Sequence, residues 1–169
     1  MLEVIDLKWV LPTFFVYGVA MSLREKIVPL VEKACERQGV ILVDVEVKGD
    51  GKRPVYMVYA DTEEGITLDQ CVKLSRALQD EIDIDESFPV QYRIDVSSPG
   101  LDRPLIKDFQ YRKNIGRNLK VKYKADEITE TVSGKLIRFD ENELELADKK
   151  KRMIINRRDI IEAKIKLQW

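Results

Sequence analysis

Histidine is absent from this 169-residue chain. Its absence removes the commonest general acid–base side chain and the commonest metal ligand. No Ser–His or Cys–His nucleophilic dyad can form. Cysteine occurs twice, at Cys35 and Cys71, and neither belongs to a C-x-x-C pair. Zinc-ribbon and thioredoxin-like motifs are therefore excluded, and the chain needs no oxidising compartment. Both cysteines fall on apolar faces of predicted helices and read as small buried hydrophobes. No G-x-x-x-x-G-K-[ST] loop is present. Gly49-Asp50-Gly51-Lys52 lies between two predicted strands, with no helix N-terminus after it to hold phosphate, and reads as a hairpin turn. Repeats and low-complexity tracts are also missing.

What is present is a polar chain with enough apolar residues for a core: 44% hydrophobic and 35% charged. The net charge of −1 hides an asymmetry. Residues 1–97 hold 11 Lys+Arg against 18 Asp+Glu, and residues 98–169 hold 18 against 12. An acidic front and a basic back imply two modules with different partners.

Residues 1–20 are apolar from Trp9 to Ala20 apart from Pro12, Thr13 and Gly18. As a signal peptide this stretch has the wrong charge balance, Glu3 and Asp6 against Lys8, and it is too short to span a bilayer. Ser22 and Glu25 form a capping box immediately after Met21. The expectation is that residues 1–20 stand outside the fold and that Met21 is the natural start.

Helical spacing of Leu23, Ile27, Leu30, Val31, Ala34 and Cys35 predicts a helix over 22–38, interrupted or bent at Pro29 and closed at Gly39. Val43, Val45 and Val47 alternate with charged residues and predict a strand over 40–48, paired in a hairpin with a second over 54–61. Thr67 and Gln70 cap a helix over 68–82. A third strand carries Tyr92, Ile94 and Val96. Residues 21–97 thus read as an α-β-β-α-β module with helices on one sheet face. Residues 98–105 read as a stiff linker and 106–169 as a second module. A short helix near 106–113 precedes strands at 118–124, 131–139, 143–147, 151–156 and 160–167. Short strands with tight turns predict a small closed barrel of SH3 or Sm type, and the fold class is α+β.

Three groups of residues carry possible function. Asp80, Glu81, Asp83, Asp85 and Glu86 lack the glycine and spacing of a calcium loop. They read as a solvated acidic face or as a contact for a basic protein. Arg112, Lys113, Arg117, Lys149, Lys150, Lys151, Arg152, Arg157 and Arg158 make a phosphate-binding footprint if they converge, and ordinary solubilising charges if they do not. Ser98, Pro99, Gly100, Leu101, Asp102, Arg103 and Pro104 form a rigid elbow, with Pro99-Gly100 favouring a type II turn. Arg103 has three open partners: Asp102 beside it, a phosphate, or a partner carboxylate.

The stretch Val96-Ser97-Ser98-Pro99-Gly100-Leu101-Asp102-Arg103-Pro104-Leu105 resembles the signature of the bacterial ribosome maturation factor RimP family. Pro29-Leu30-Val31, Leu42-Val43-Asp44-Val45-Glu46, Asp108-Phe109 and Gly134-Lys135-Leu136 are similar to the family pattern as well. The likeness spans Met21 to about Leu167. It implies a KH-like first module, a Sm- or SH3-like second module and a cytoplasmic location. It also implies transient binding to the precursor of the small (30S) ribosomal subunit. Contact would run through a small-subunit ribosomal protein near the decoding region, with the basic second module left to touch either ribosomal RNA or another protein. No catalysis, cofactor, metal, membrane or small-molecule substrate is implied. A KH clamp needs a G-x-x-G loop, which this chain lacks, so the acidic first module is expected to hold a basic protein instead. The rival readings are a general Sm-like RNA-binding module unconnected to ribosomes and a metal-dependent enzyme built on Asp83 and Asp85.

Overall fold

The computed structural model describes residues 21–148 and 151–167. The expectation for residues 1–20, and the candidate residues Lys149 and Lys150, lie outside the described residues.

The first half alternates helix and strand: α1 (Leu23–Gln38), β1 (Ile41–Lys48), β2 (Val55–Asp61), α2 (Leu68–Asp83) and β3 (Arg93–Ser97). Both anticipated capping boxes form. Ser22 and Glu25 close the start of α1, and Thr67 and Gln70 that of α2, each satisfying two backbone donors that the helix cannot. Pro29 sits inside α1, beyond its first turn, and the helix runs through it to Gly39. The strand order is β1-β2-β3, with β1 antiparallel and β3 parallel to β2. Ile27, Val31, Ala34 and Cys35 of α1 and Leu74, Leu78 and Ile82 of α2 bury one face of this sheet, against Val45, Tyr56 and Val58.

One detail departs from simple alternation. The register of β1 against β2 slips between Leu42 and Asp44, leaving Val43 as a bulge. A bulge inserts one residue and reverses which side chains face which way. Val45 and Val47 still face the helices, but Val43 joins Tyr59, Met57 and Phe109 on the opposite side. The three valines expected on one face are therefore divided between two, and both faces of the sheet are covered.

The second half contains α3 (Asp108–Lys113), β4 (Asn118–Ala125), β5 (Ile128–Phe139), β6 (Glu143–Asp148), β7 (Lys151–Asn156), one 3-10 turn (Arg157–Asp159) and β8 (Ile160–Ile165). The five expected strands are present, in the order β7-β6-β5-β4-β8, all neighbours antiparallel. The closed barrel is not. β7 and β8 are the two edges of an open sheet, and no ladder joins them among the described residues. Closure requires the edge strands to meet in a consistent stagger. Here the 3-10 turn carries the chain away from β7, and β8 pairs with β4. β5 supplies the curvature that does exist. Its residues 128–135 pair with β4 and 135–139 with β6, with a register shift beyond Leu136. Gly134 stands at this corner, where an added Cβ would lie 3.1 Å from the Ala147 carbonyl oxygen and 3.2 Å from the Leu146 Cβ. The sheet wraps a second apolar cluster around Leu119, Val121, Leu136, Leu144 and Ile155.

Candidate partner-binding site

The signature segment leaves β3 and turns at once. Gly100 has φ 69°, in the left-handed region that a side chain disfavours, as the Pro-Gly turn requires. Pro99 is buried, whereas Ser98, Gly100, Leu101 and Asp102 are exposed. The Leu105 backbone N–H donates to the Ala163 carbonyl of β8 at 2.8 Å, which fastens the segment to the second sheet.

Arg103 resolves the choice that its sequence context left open. Its side chain folds back onto β1, donating to Asp44 Oδ2 at 2.7 Å and to Glu46 Oε1 at 2.8 Å. The guanidinium carbon lies 3.7 Å from the centroid of the Tyr59 ring, a cation–π contact. The partner carboxylates thus come from its own chain, and neither Asp102 nor a phosphate is needed to satisfy it. The guanidinium bond holds Glu46 below the usual carboxylate range, against a smaller upward push from burial.

A second clamp lies alongside. Phe109 of α3 packs on Val43, Tyr59 and Met57, the sheet face exposed by the bulge. The Lys113 ammonium donates to Asp61 Oδ2 at 2.8 Å and to the Thr62 carbonyl at 3.0 Å. Asp61 is itself fixed, because its other oxygen accepts the Thr62 and Ile66 backbone N–H groups at 2.9 and 3.0 Å. The coupling between the two sheets therefore comes from three side-chain contacts as well as from stiff backbone.

Between these clamps a cleft of about 230 Å³ opens, walled by Asp61, Gly65 and Ile66 on one side. Ser98 to Leu101, Gln110 and Lys113 of α3, and Asn114 just beyond it make the rest, with Arg117 at its margin.

The other candidate residues are dispersed. Asp80, Glu81 and Asp83 occupy the last turn of α2, and Asp85 and Glu86 the turn beyond it. Glu81 is paired with Arg37, Asp83 accepts from the Tyr92 hydroxyl, and Asp85 accepts the Ser87 backbone N–H at 2.9 Å. That last bond, with the Ser87 side chain, lowers the Asp85 pKa. The Tyr92 hydroxyl is pushed well above its ordinary value by burial and then by Asp83. Among the cations, Lys113 is paired as described, Arg152 with Glu145 at 3.0 Å, and Arg157 with Asp108. Arg112, Arg117 and Arg158 are exposed and make no ion pair among the described residues. Lys151 and Arg152 begin β7 while Arg157 and Arg158 follow its end, roughly 20 Å apart at strand rise. Among the described residues no group of three His, Cys, Asp or Glu side chains is placed to hold a metal ion. No described helix is long and apolar enough to cross a membrane.

Sequence reasoning missed Asp44, Glu46, Asp61, Gln110 and Asn114. The two β1 carboxylates carried a signal of alternation only, which reads equally well as a solvent face.

Residues 30–102 match the family model of the RimP N-terminal domain. That stretch of the chain is similar to a RimP N-terminal domain. The match takes in Asp44, Glu46, Tyr59 and Asp61 and stops one residue short of Arg103. The carboxylate half of the clamp lies inside the matched domain, and its cationic half, Arg103 and Lys113, lies beyond.

Proposed function

We propose that this chain is a RimP-type, non-enzymatic, cytoplasmic factor that binds the precursor of the small ribosomal subunit transiently and promotes its maturation. The observation that carries the reading is the RimP match over residues 30–102, which includes most of the signature turn. Physically, the chain acts as two recognition surfaces held at one angle. The division is 21–97, 98–105 and 106–169, and the first unit is KH-like in element order but without a backbone-clamping G-x-x-G loop. Its acidic end, Asp80 to Glu86, meets a basic small-subunit protein near the decoding region. The cations of the second unit, Arg112, Arg117, Lys151 and Arg158 among them, meet ribosomal RNA. Clamping by Arg103, Phe109 and Lys113 supports this reading, since a fixed angle lets two weak contacts act as one.

A sucrose gradient of lysate, probed for the protein and compared with a deletion strain, tests it. Comigration with free small subunits, absence from complete ribosomes and accumulation of free subunits on deletion are expected. Protein confined to the top of the gradient with an unchanged deletion profile would sink the proposal.

A further inference from the structure

We propose that the cleft between the two sheets is a binding site for an extended polypeptide segment of the protein partner, read chiefly by Gln110, Asn114 and Arg117. The inference rests on the assembly-factor reading and adds the site and its chemistry.

Three described polar side chains are nine-tenths buried or more, Asp61 at 8%, Gln110 at 4% and Asn114 at 6% exposure, and all three line this cleft. Buried polar groups are costly unless bonded. Asp61 is saturated by Lys113 and two backbone donors. The amides are only half used. Gln110 Oε1 accepts the Ile106 and Lys107 backbone N–H groups at 2.8 and 2.9 Å, which leaves Nε2 as a free donor. Asn114 Nδ2 donates to the Gln110 carbonyl at 2.7 Å, which leaves Oδ1 as a free acceptor. Neither free end is sealed from solvent, because the sole sealed and unpartnered side-chain atom among the described residues is the Tyr56 hydroxyl. Elsewhere on the lining the Gly100 and Leu101 backbone N–H groups donate to nothing among the described residues. The lining thus offers a donor from Gln110 of α3, an acceptor from Asn114 just beyond its end, and two backbone donors. That set matches the alternating C=O and N–H groups of an extended chain.

Size and charge narrow the class. At about 230 Å³ the cleft falls below the range of small-molecule pockets, ~300–1,000 Å³. Glu63 and Glu64, exposed beside Gly65, stand against a nucleic-acid phosphate at that wall. Arg117 is exposed and unpaired on the other side, placed for a carboxylate side chain of the segment. Leu101, 41% exposed, offers an apolar contact for a neighbouring residue.

The test places a photoactivatable benzophenone amino acid at Leu101 in the full chain, incubates it with small subunits from the deletion strain, irradiates, and recovers the subunits by sedimentation. A protease-sensitive, RNase-resistant crosslink to one peptide sequence is expected. Gln110→Glu keeps the acceptor that caps α3 but replaces the free donor, and Arg117→Ala removes an exposed side chain. Each should cut crosslinking at least tenfold, and Arg117→Ala should do so with the thermal midpoint unchanged. An RNase-sensitive crosslink, or a peptide crosslink indifferent to both substitutions, overturns the proposal. Sedimentation with subunits but no crosslink overturns the cleft alone. Failure to sediment with subunits overturns the assembly reading as well.

Discussion

Replacing Arg103 by alanine removes the one side chain that touches Asp44, Glu46 and Tyr59 together. The effect can be sized from its surroundings. The Arg103 side chain is 24% exposed, Asp44 23% and Glu46 34%, so each ion pair belongs near the solvent-screened end of the range. Two such pairs contribute about 0.5 kcal/mol each, and the stack on Tyr59 about 1 kcal/mol. Arg103→Ala should therefore destabilise the protein by about 2 kcal/mol in urea denaturation followed by circular dichroism. Because the lost contacts bridge the two sheets, the single transition should also broaden or split. Arg103→Lys keeps the charge but loses the planar stack, and should fall near half that loss. A double-mutant cycle with Glu46→Ala isolates the pair, with an expected coupling of about 0.5–1 kcal/mol. A loss below about 0.3 kcal/mol for Arg103→Ala, with no coupling in the cycle, would show that the guanidinium is a passenger and that the backbone alone sets the angle.

Three further outcomes follow from the same contacts. Phe109→Ala should cost about 3 kcal/mol by the same denaturation assay, since a buried ring is lost from a cluster with few other members. Glu46 has a folded pKa depressed chiefly by its Arg103 bond, so its stabilisation is present above the ordinary glutamate value of about 4.3 and is lost as pH falls through the lower folded value. Stability measured from pH 6 downward should decline less steeply in Arg103→Ala, and an unchanged slope would contradict the linkage. Burial, with Glu32 adding to it, pushes the Cys35 thiol up to about 12, whereas Cys71 is only partly buried. Alkylation with iodoacetamide at pH 8 followed by mass spectrometry should label Cys71 first, and equal rates would show that α1 opens readily.

Much of the local structure was legible because its causes are local. Ser22 with Glu25 and Thr67 with Gln70 carry their own hydrogen-bond partners three residues away, so the helix starts could be read directly. The strands announced themselves by alternation. The Val43 bulge could not be read, because a valine accepts a bulge as readily as a regular strand position and the deciding fact is the register against β2. Arg103 failed for a related reason. Its partners lie 59 and 57 residues away, and nothing near Asp102 says which carboxylates fold within reach. Barrel closure depends on whether two edge strands meet, a property of the whole sheet rather than of any strand in it. Gln110 and Asn114 carried no signal in the sequence, and their burial shows only in the fold.

The bulge at Val43 has a practical consequence for cutting the molecule apart. Ser97 ends β3 and looks like a natural place to stop. A fragment ending there would leave Val43, Met57 and Tyr59 facing water, with Asp44 and Glu46 losing Arg103 and keeping only the more exposed Arg24 and Lys48. Such an uncovered apolar patch invites self-association. The smallest piece that carries its own cover runs on through α3 to Lys113, because the first sheet borrows its outer layer from the residues that follow it.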